Sequence, residues 1–202
     1  VNASGGGDEY DLIFGFSPLS TDGYDESYCM DSQGNPLPEY TSRTNCISGP
    51  FDSGEFGECP NCGVPPQETL GGCETNNCEW VSIHTWVVGD AYAPPAPPPP
   101  AFDAALGWDN DRYYTQILAG LYADTTEHVY DIALGYPGDN LITIAWDNTG
   151  WSDLGTFFLQ DAFGGALINV NMTIETSLEL TNPAFNLLKL KVTPAGSAGR
   201  FR

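Results

Sequence analysis

Thr173-Ile-Glu-Thr-Ser-Leu-Glu-Leu180 alternates along its length in the way that predicts one half-buried antiparallel strand. Its apolar face comprises Ile174, Thr176, Leu178 and Leu180. Residues 188–192 repeat the alternation, with Leu188, Leu190 and Val192 on one face and Lys189 and Lys191 on the other. Asn182-Pro183 is typical of a turn between the two strands. This pair of segments favours an all-β fold.

Further strand patterns follow at short intervals along the chain. The predicted strands are residues 10–16, 80–88, 113–118, 128–134, 141–146, 156–160 and 166–172. Residues 161–165, Asp-Ala-Phe-Gly-Gly, are typical of a hairpin connection between the last two. Short strands in this number, with 23 glycines and 16 prolines for tight turns, predict an all-β antiparallel β-sandwich or jelly roll. No stretch predicts a helix.

The chain is strongly acidic. Its 202 residues include 27 acidic and 6 basic ones, for a formal net charge of −21. Neutralising nucleic-acid phosphates requires lysines and arginines that this chain lacks, so nucleic acid is excluded as a partner. A hydrophobic content of 41% indicates a folded core. The longest apolar stretches, such as residues 141–146, fall short of the roughly 20 residues that a membrane helix needs.

The number and spacing of the cysteines indicate the cellular compartment in which the chain folds. All six lie between residues 29 and 78, and they are Cys29, Cys46, Cys59, Cys62, Cys73 and Cys78. An even, clustered set in a chain rich in Gly and Pro predicts disulfides formed outside the reducing cytosol. Zinc is the alternative, because Cys59-Pro-Asn-Cys62-Gly resembles a zinc-ribbon knuckle that Cys73 and Cys78 could complete. A start at Val1, without Met or an apolar signal segment, adds the expectation that an export signal has been removed. We expect a secreted protein, extracellular or at the cell surface.

Two segments interrupt the strand patterns. Residues 25–79 have no sustained period and are dominated by turn residues, so covalent links are needed to hold one shape. Residues 94–100 hold six prolines in seven positions, which predicts polyproline II rather than a central strand. We interpret this run as a strap across a sheet edge, with a ligand for an aromatic groove as the alternative. The predicted organisation is a β-sandwich domain of residues 1–24 and 89–202, with a cysteine-rich insertion of residues 25–88.

Catalytic motifs are missing from the sequence. The two histidines, His84 and His128, stand in no nucleophile–base motif, and no phosphate loop, nucleophile elbow or zinc-protease motif occurs. Carboxylate pairs of the glycosidase kind are too common in an acidic chain to indicate a hydrolase. We expect a protein that is not an enzyme and requires no cofactor.

Calcium is the one candidate ion, because hard cations prefer oxygen ligands and would relieve self-repulsion. The first candidate cluster is Asp109, Asn110 and Asp111, and the second is Asp22 and Asp25 in Thr-Asp-Gly-Tyr-Asp. Neither matches an EF-hand loop. The alternative is that these residues simply build turns.

The aromatic residues leave a glycan-binding role open. Most of the five tryptophans adjoin apolar strand residues and are predicted to pack in the core. Trp108 and Trp151 stand among turn residues and are the candidates for stacking on a sugar. Asn2-Ala-Ser4 and Asn171-Met-Thr173 are sequons that permit N-glycosylation at Asn2 and Asn171.

Charge is distributed unevenly along the chain. Residues 189–202 contain no acid and four of the six basic residues, which are Lys189, Lys191, Arg200 and Arg202. The first 188 residues carry 27 acids against two arginines, or −25. This uneven charge would attract residues 189–202 of one copy, the basic segment, to the acidic residues 1–188 of another. We expect head-to-tail contacts between copies, as in an open filament.

Two stretches of the chain carry a resemblance to a known family. They read Phe14-Gly-Phe-Ser-Pro-Leu-Ser-Thr-Asp-Gly-Tyr-Asp25 and Tyr92-Ala-Pro-Pro-Ala-Pro-Pro-Pro-Pro-Ala-Phe-Asp103. Both resemble a β-sandwich module of large secreted bacterial surface proteins, associated with type IX secretion or dockerin-like tails. In that module the turn leads almost directly into the proline-rich strap, whereas here the cysteine-rich segment separates them. Residues 146–148, 155–161, 169–172 and 188–194 also resemble it. The resemblance implies an extracellular, non-enzymatic adhesive or structural role, and it does not cover the inserted cysteines.

These features favour a secreted structural subunit whose partners are copies of itself and which self-assembles into an extracellular filament or surface layer. The alternative is an extracellular carbohydrate-binding or adhesion module. A viral jelly roll also fits the strand pattern, because a fold alone does not determine function.

Overall fold

The computed structural model describes residues 1–21, 23–31, 33–48, 57–58, 81–82, 84–108, 110–121 and 125–196. The chain divides into two compact units, one made of Val1–Asp25 with Asp90–Arg202 and the other of Glu26–Gly89. Both are described below, each by itself. Across the described ranges, no helix has the length and apolar character needed to cross a membrane.

The protein is mostly β, with short strands and very short helices. In chain order the strands are β1 (Asn2–Gly5), β2 (Asp8–Asp11), β3 (Ile13–Ser17), β4 (Tyr28–Met30), β5 (Gly57–Glu58), β6 (Val81–Ser82), β7 (Thr85–Val87), β8 (Ala91–Tyr92), β9 (Asp103–Trp108), β10 (Asp111–Ala119), β11 (His128–Gly135), β12 (Ile142–Ala145), β13 (Gly155–Asp161), β14 (Asn169–Asn171), β15 (Ser177–Leu180) and β16 (Leu187–Pro194). The helices among the described residues are α1 (Arg43–Ser48) and α2 (Trp151–Leu154).

Two sheets make up the first unit. The smaller has the order β15-β12-β1-β2, and the larger has the order β14-β13-β16-β11-β9-β10-β3, with β8 also paired to β10. The predicted antiparallel arrangement is confirmed except at one pair, since β3 and β10 are parallel, with Ile13 opposite Thr115. About a hundred residues separate these two strands, so no tight turn imposes the antiparallel direction.

Both sheets contribute to one apolar core. The smaller sheet provides Ala3, Ile142, Ile144 and Leu180. The larger sheet provides residues that include Leu106, Tyr130, Ile132, Leu159, Leu188, Leu190 and Val192. The alternation predicted for residues 188–192 is therefore confirmed, because its three apolar side chains are buried.

The prediction for residues 173–180 is wrong over its first half. Only β15 is a strand, and Ile174 is 72% exposed. The cause is a turn built by Asn171, whose Oδ1 accepts hydrogen bonds from the Thr173 amide at 3.0 Å and its hydroxyl at 2.8 Å. The Asn171 carbonyl also accepts from the amides of Ile174 and Glu175. The following turn at Asn182 is confirmed, but β15 and β16 belong to different sheets.

Other boundaries also differ from the predictions. Residues 10–16 are divided at Leu12, whose amide and carbonyl bond to Val1 at 2.7 and 3.1 Å, so β2 and β3 lie in different sheets. Residues 166–172 contain only β14. Residues 80–88 contain β6 and β7 separately, and positions 80 and 83 lie outside the described residues. The expectation of no helix is wrong, since α1 and α2 form, but both are too short to show a helical period.

The second unit is held by a disulfide and two short strand pairs. Cys29 and Cys46 are bonded and both are fully buried. β4 pairs with β7, and β5 pairs with β6. One disulfide of the predicted framework is thus confirmed. Its other members lie outside the described residues, and so does the alternative zinc set; they are Cys59, Cys62, Cys73 and Cys78.

The proline-rich segment, residues 93–101, forms no strand, as predicted. Arg112 fastens its beginning to the larger sheet, because Nε donates to the Pro94 carbonyl at 3.1 Å. The same guanidinium donates through Nη2 to both carboxylate oxygens of Asp103, at 2.7 and 2.8 Å. Pro97 and Pro99 line a pocket of about 300 Å³ with Ala133 from β11 and with Arg112.

Candidate functional site

An apolar groove of about 460 Å³ lies between β3 and α2 in the first unit. It is lined by Val1, Leu12, Ile13, Phe14, Gly15, Phe16, Tyr130, Trp151, Leu154, Phe157, Val192 and Pro194. Tyr130 and Val192 are buried and form the floor, since they belong to central strands β11 and β16. The edge strand β3 and the helix α2 provide the sides.

Aromatic rings pack against one another around the groove. The Phe14 ring lies 5.4 Å from the Tyr130 ring and meets the Trp151 ring edge-on, at 6.1 Å and 88°. Trp151 in turn lies 4.7 Å from Phe157. Packed rings of this kind are rigid, so they give the groove a defined shape before anything binds.

Tyr130 fixes β3 against the floor. Its hydroxyl donates a hydrogen bond of 2.6 Å to the carbonyl oxygen of Gly15, the central residue of β3. Burial raises the pKa of the Tyr130 phenol well above its ordinary value, so the hydroxyl keeps its proton throughout the neutral range. The link therefore does not depend on pH near neutrality.

The groove is suited to apolar contact rather than to chemistry. None of its lining residues has a charged side chain, and the α-ammonium of Val1 donates to the Leu12 carbonyl at 3.1 Å, so the lining side chains offer neither a general base nor carboxylates for a metal. Ile13 is 54% exposed at its edge. An apolar cleft with an exposed aliphatic side chain is typical of a surface that another chain covers.

The chain leaves the last strand beside this groove. Pro194 lines the groove and lies opposite Gly155 in the β13–β16 register. The next amide, that of Ala195, donates a hydrogen bond of 2.9 Å to the carbonyl oxygen of Leu154. Residues 197–202 follow immediately and lie outside the described residues. Their point of departure is therefore a side of the groove.

Two exposed carboxylates flank the lining residues. Asp11 directly precedes Leu12, and its Oδ1 accepts a hydrogen bond of 3.1 Å from Asn2 Nδ2. Asp153 lies in α2 between Trp151 and Leu154. Both residues are exposed, so each adds a carboxylate beside a lining residue in the sequence, although neither lines the groove itself.

The described residues predicted for calcium belong to turns or to the start of a strand. The carboxylate of Asp25 accepts from the Thr21 amide at 2.6 Å and the Thr21 hydroxyl at 3.1 Å. Asn110 has a φ of 70° in the β9–β10 connection, and Asp111 begins β10. Asp22 and Asp109 lie outside the described residues. No cluster of three or more His, Cys, Asp or Glu residues suited to a metal occurs in the described part, and calcium stays a prediction.

The lysines predicted for assembly have partners within their own chain. Lys189 Nζ lies 2.6 Å from Asp131 Oδ1. Lys191 Nζ lies 2.9 Å from Glu127 Oε1. These bonds connect β16 to β11 and the residue before it, so both ammonium groups already face a carboxylate. Arg200 and Arg202 lie outside the described residues.

The predicted glycan-stacking residues differ in position. Trp151 lies in the groove wall and is partly buried against the core. Trp108 ends β9, and its side chain lies outside the described set. The exposed Tyr92 stacks on Tyr24 at 4.5 Å and on Tyr113 at 5.0 Å. Two rings therefore stack against Tyr92, and part of its ring surface is already in contact within the chain.

The sequons also fall on described residues. Asn2 is half-buried in β1, and its amide is bonded to Asp11. Asn171 is half-buried at the end of β14, with Oδ1 engaged in the turn to Thr173. Glycosylation at either position stays a prediction.

Sequence reasoning did not find the groove as a site. Of its residues only Trp151 was singled out, because it stands among turn residues. The lining comes from five separate segments between Val1 and Pro194, and no local spacing signals that they meet. No protein-family model, curated protein or solved structure matches this chain.

Proposed function

We propose that the chain is a secreted, non-enzymatic structural subunit that self-assembles into an extracellular filament or surface layer. The observation that carries the proposal is the apolar groove beside β3, with Ile13 54% exposed at its edge. Covering such a groove removes apolar surface from water, at about 25 cal/mol per Å². In an assembly, neighbouring subunits would bury the groove of each subunit.

The proposed architecture is a β-sandwich, with the smaller sheet packed on the larger one. Its support is the shared core, to which both sheets contribute fully buried side chains such as Ile144 and Leu190. A sandwich gives a rigid block with edge strands, and an edge strand such as β3 is a ready place for contact with another chain.

An extracellular location is supported by the Cys29–Cys46 disulfide, because such bonds persist in oxidising compartments. The acidic composition agrees with that location. A net charge of −21 keeps single subunits apart in solution, so assembly needs a contact that overcomes repulsion. Calcium would reduce this repulsion but is not required by the proposal.

The alternative role, carbohydrate binding or adhesion, has less support. Sugar sites combine an open aromatic face with polar groups that fix the hydroxyls. The groove lacks charged side chains, and Tyr92 already stacks with Tyr24 and Tyr113. A glycan-binding screen would separate the two roles.

Negative-stain electron microscopy of the purified full chain tests the proposal. We expect regular polymers or sheets of a constant repeat. Discrete particles of a single 21.7 kDa chain at all concentrations would reject it. The same preparation should show no glycan-dependent change in assembly.

A further inference from the structure

We infer that the groove between β3 and α2 receives residues 197–202 of a second copy, with Phe201 as the inserted side chain and Arg200 and Arg202 against the acidic body of the chain that supplies the groove. The inference rests on the proposed assembly, for which it names the contact. The segment reads Ser-Ala-Gly-Arg-Phe-Arg.

The chemistry of the segment matches that of the groove. Phe201 is its one large apolar side chain, and the groove presents Phe14, Trp151 and Phe157, against which a further ring can pack. Small residues precede it, namely Ser197, Ala198 and Gly199. They allow the backbone to approach a narrow cleft without steric conflict.

The charges are complementary as well. Arg200 and Arg202 flank Phe201, whereas the first 188 residues of the receiving copy carry 27 acids against two arginines, or −25. Lys189 and Lys191 face carboxylates of their own chain, so the proposed contact relies on the two arginines for its positive charge. Contact between unlike charges also steers the approach of two acidic bodies.

The geometry leads to an open assembly. The segment departs at Ala195, on the α2 side of the groove, and seven residues from Pro194 to Phe201 span at most about 24 Å when extended. The groove and the segment are different surfaces of one chain. Contact between them is therefore heterologous, which produces a head-to-tail filament unless the rotation happens to close a ring.

A single substitution in each partner tests the contact in the full-length chain. Phe201→Ala removes the inserted ring, and Phe163→Ala is its matched control, because Phe163 is 73% exposed in the β13–β14 connection. Ile13→Arg blocks the groove edge, and Ile174→Arg is its control at a residue that is 72% exposed. We expect both test variants to have the light-scattering mass of one 21.7 kDa chain, and both controls to assemble as the unaltered chain does.

Mixing the two defective variants gives the sharper result. The Ile13→Arg chain keeps an intact segment and the Phe201→Ala chain keeps an intact groove, so an equal mixture should form pairs of twice the 21.7 kDa mass and nothing longer. A mixture that stays at single mass would overturn the inference, since the segment would then act within its own chain or elsewhere. Circular dichroism of each variant confirms that it is folded.

A peptide of residues 195–202 provides an independent probe. In excess it should shorten polymers of the unaltered chain by capping grooves, whereas the Phe201→Ala peptide should not. Assembly of the Phe201→Ala chain to the normal length would refute the inference and leave the proposed function standing. Failure of the unaltered chain to assemble at all would refute both.

Discussion

The amide of Ala195 donates a hydrogen bond of 2.9 Å to the carbonyl oxygen of Leu154. This bond joins the end of the last strand to a residue that lines the apolar groove. It places the point from which residues 197–202 continue next to that apolar surface.

Among the described ion pairs, Arg112 with Asp103 should contribute most to the free energy of unfolding. Arg112→Ala leaves the Asp103 carboxylate, whose side chain is 8% exposed, without its partner, so we expect a loss on the order of 3–5 kcal/mol in unfolding free energy. Lys191→Ala breaks a more exposed pair and should cost less than about 1 kcal/mol. Urea unfolding measures both, and equal losses would contradict this ranking.

Asp161 should make the first unit sensitive to acid. Its buried carboxylate accepts hydrogen bonds from the amides of Ile168 at 2.6 Å and of Leu167 and Phe163 at 2.7 Å. These bonds, that from Ile168 first, lower the pKa of Asp161 below its ordinary value. The stability that they give is present above pH about 4 and is lost as the pH falls through the lowered pKa.

Asp161→Asn tests that dependence, because an amide keeps one acceptor oxygen but cannot titrate. We expect the variant to be less stable than the unaltered chain at pH 7. Its melting temperature should fall less steeply between pH 5 and 2, because no carboxylate at position 161 takes up a proton there. Glu179→Gln, at an exposed position in β15, serves as the control. An unchanged acid profile in Asp161→Asn would remove Asp161 as the cause.

Trp146 and Asn148 should be energetically coupled. The indole Nε1 of Trp146 donates to the carbonyls of Met172 and Glu175 at 2.9 and 2.7 Å. Asn148 Nδ2 donates to the same two oxygens at 3.0 and 3.1 Å. Either donor alone keeps both carbonyls satisfied. The double variant Trp146→Phe with Asn148→Ala should therefore lose more than the two single losses combined, by about 0.5–3 kcal/mol. Strict additivity in a double-mutant cycle would exclude the coupling.

The Cys29–Cys46 bond should stabilise the second unit. The two cysteines are 17 residues apart, and closing a loop of that length stabilises a fold by about 3 kcal/mol. We expect Cys29→Ser with Cys46→Ser to lower the unfolding midpoint of this unit. The core of the first unit contains neither cysteine, so its own unfolding should be unchanged. A shift of both transitions together would contradict this assignment.

Local pattern predicted the strands well where the backbone had no competing partner. Leu188, Leu190 and Val192 alternate and are buried as expected. Residues 173–176 alternate equally well, yet Asn171 accepts hydrogen bonds from the amides of residues 173–175 in a turn, and periodicity does not reveal such a competing side chain. The helices α1 and α2 are too short to leave a helical pattern.

The candidate site was less predictable than the strands. The charge asymmetry of the chain indicated a role for its last residues, but the ion pairs of Lys189 and Lys191 with Asp131 and Glu127 depend on the β11–β16 register. The groove depends on the parallel pairing of β3 with β10, which joins segments about a hundred residues apart. Such contacts follow from tertiary packing rather than from spacing.

The most direct measurement for the central claim is the light-scattering mass of the unaltered full-length chain as its concentration is raised. Self-assembly through a heterologous contact predicts a mass that grows steadily beyond 21.7 kDa with no fixed limit. A mass that stays at 21.7 kDa across the whole range would contradict the proposed structural role.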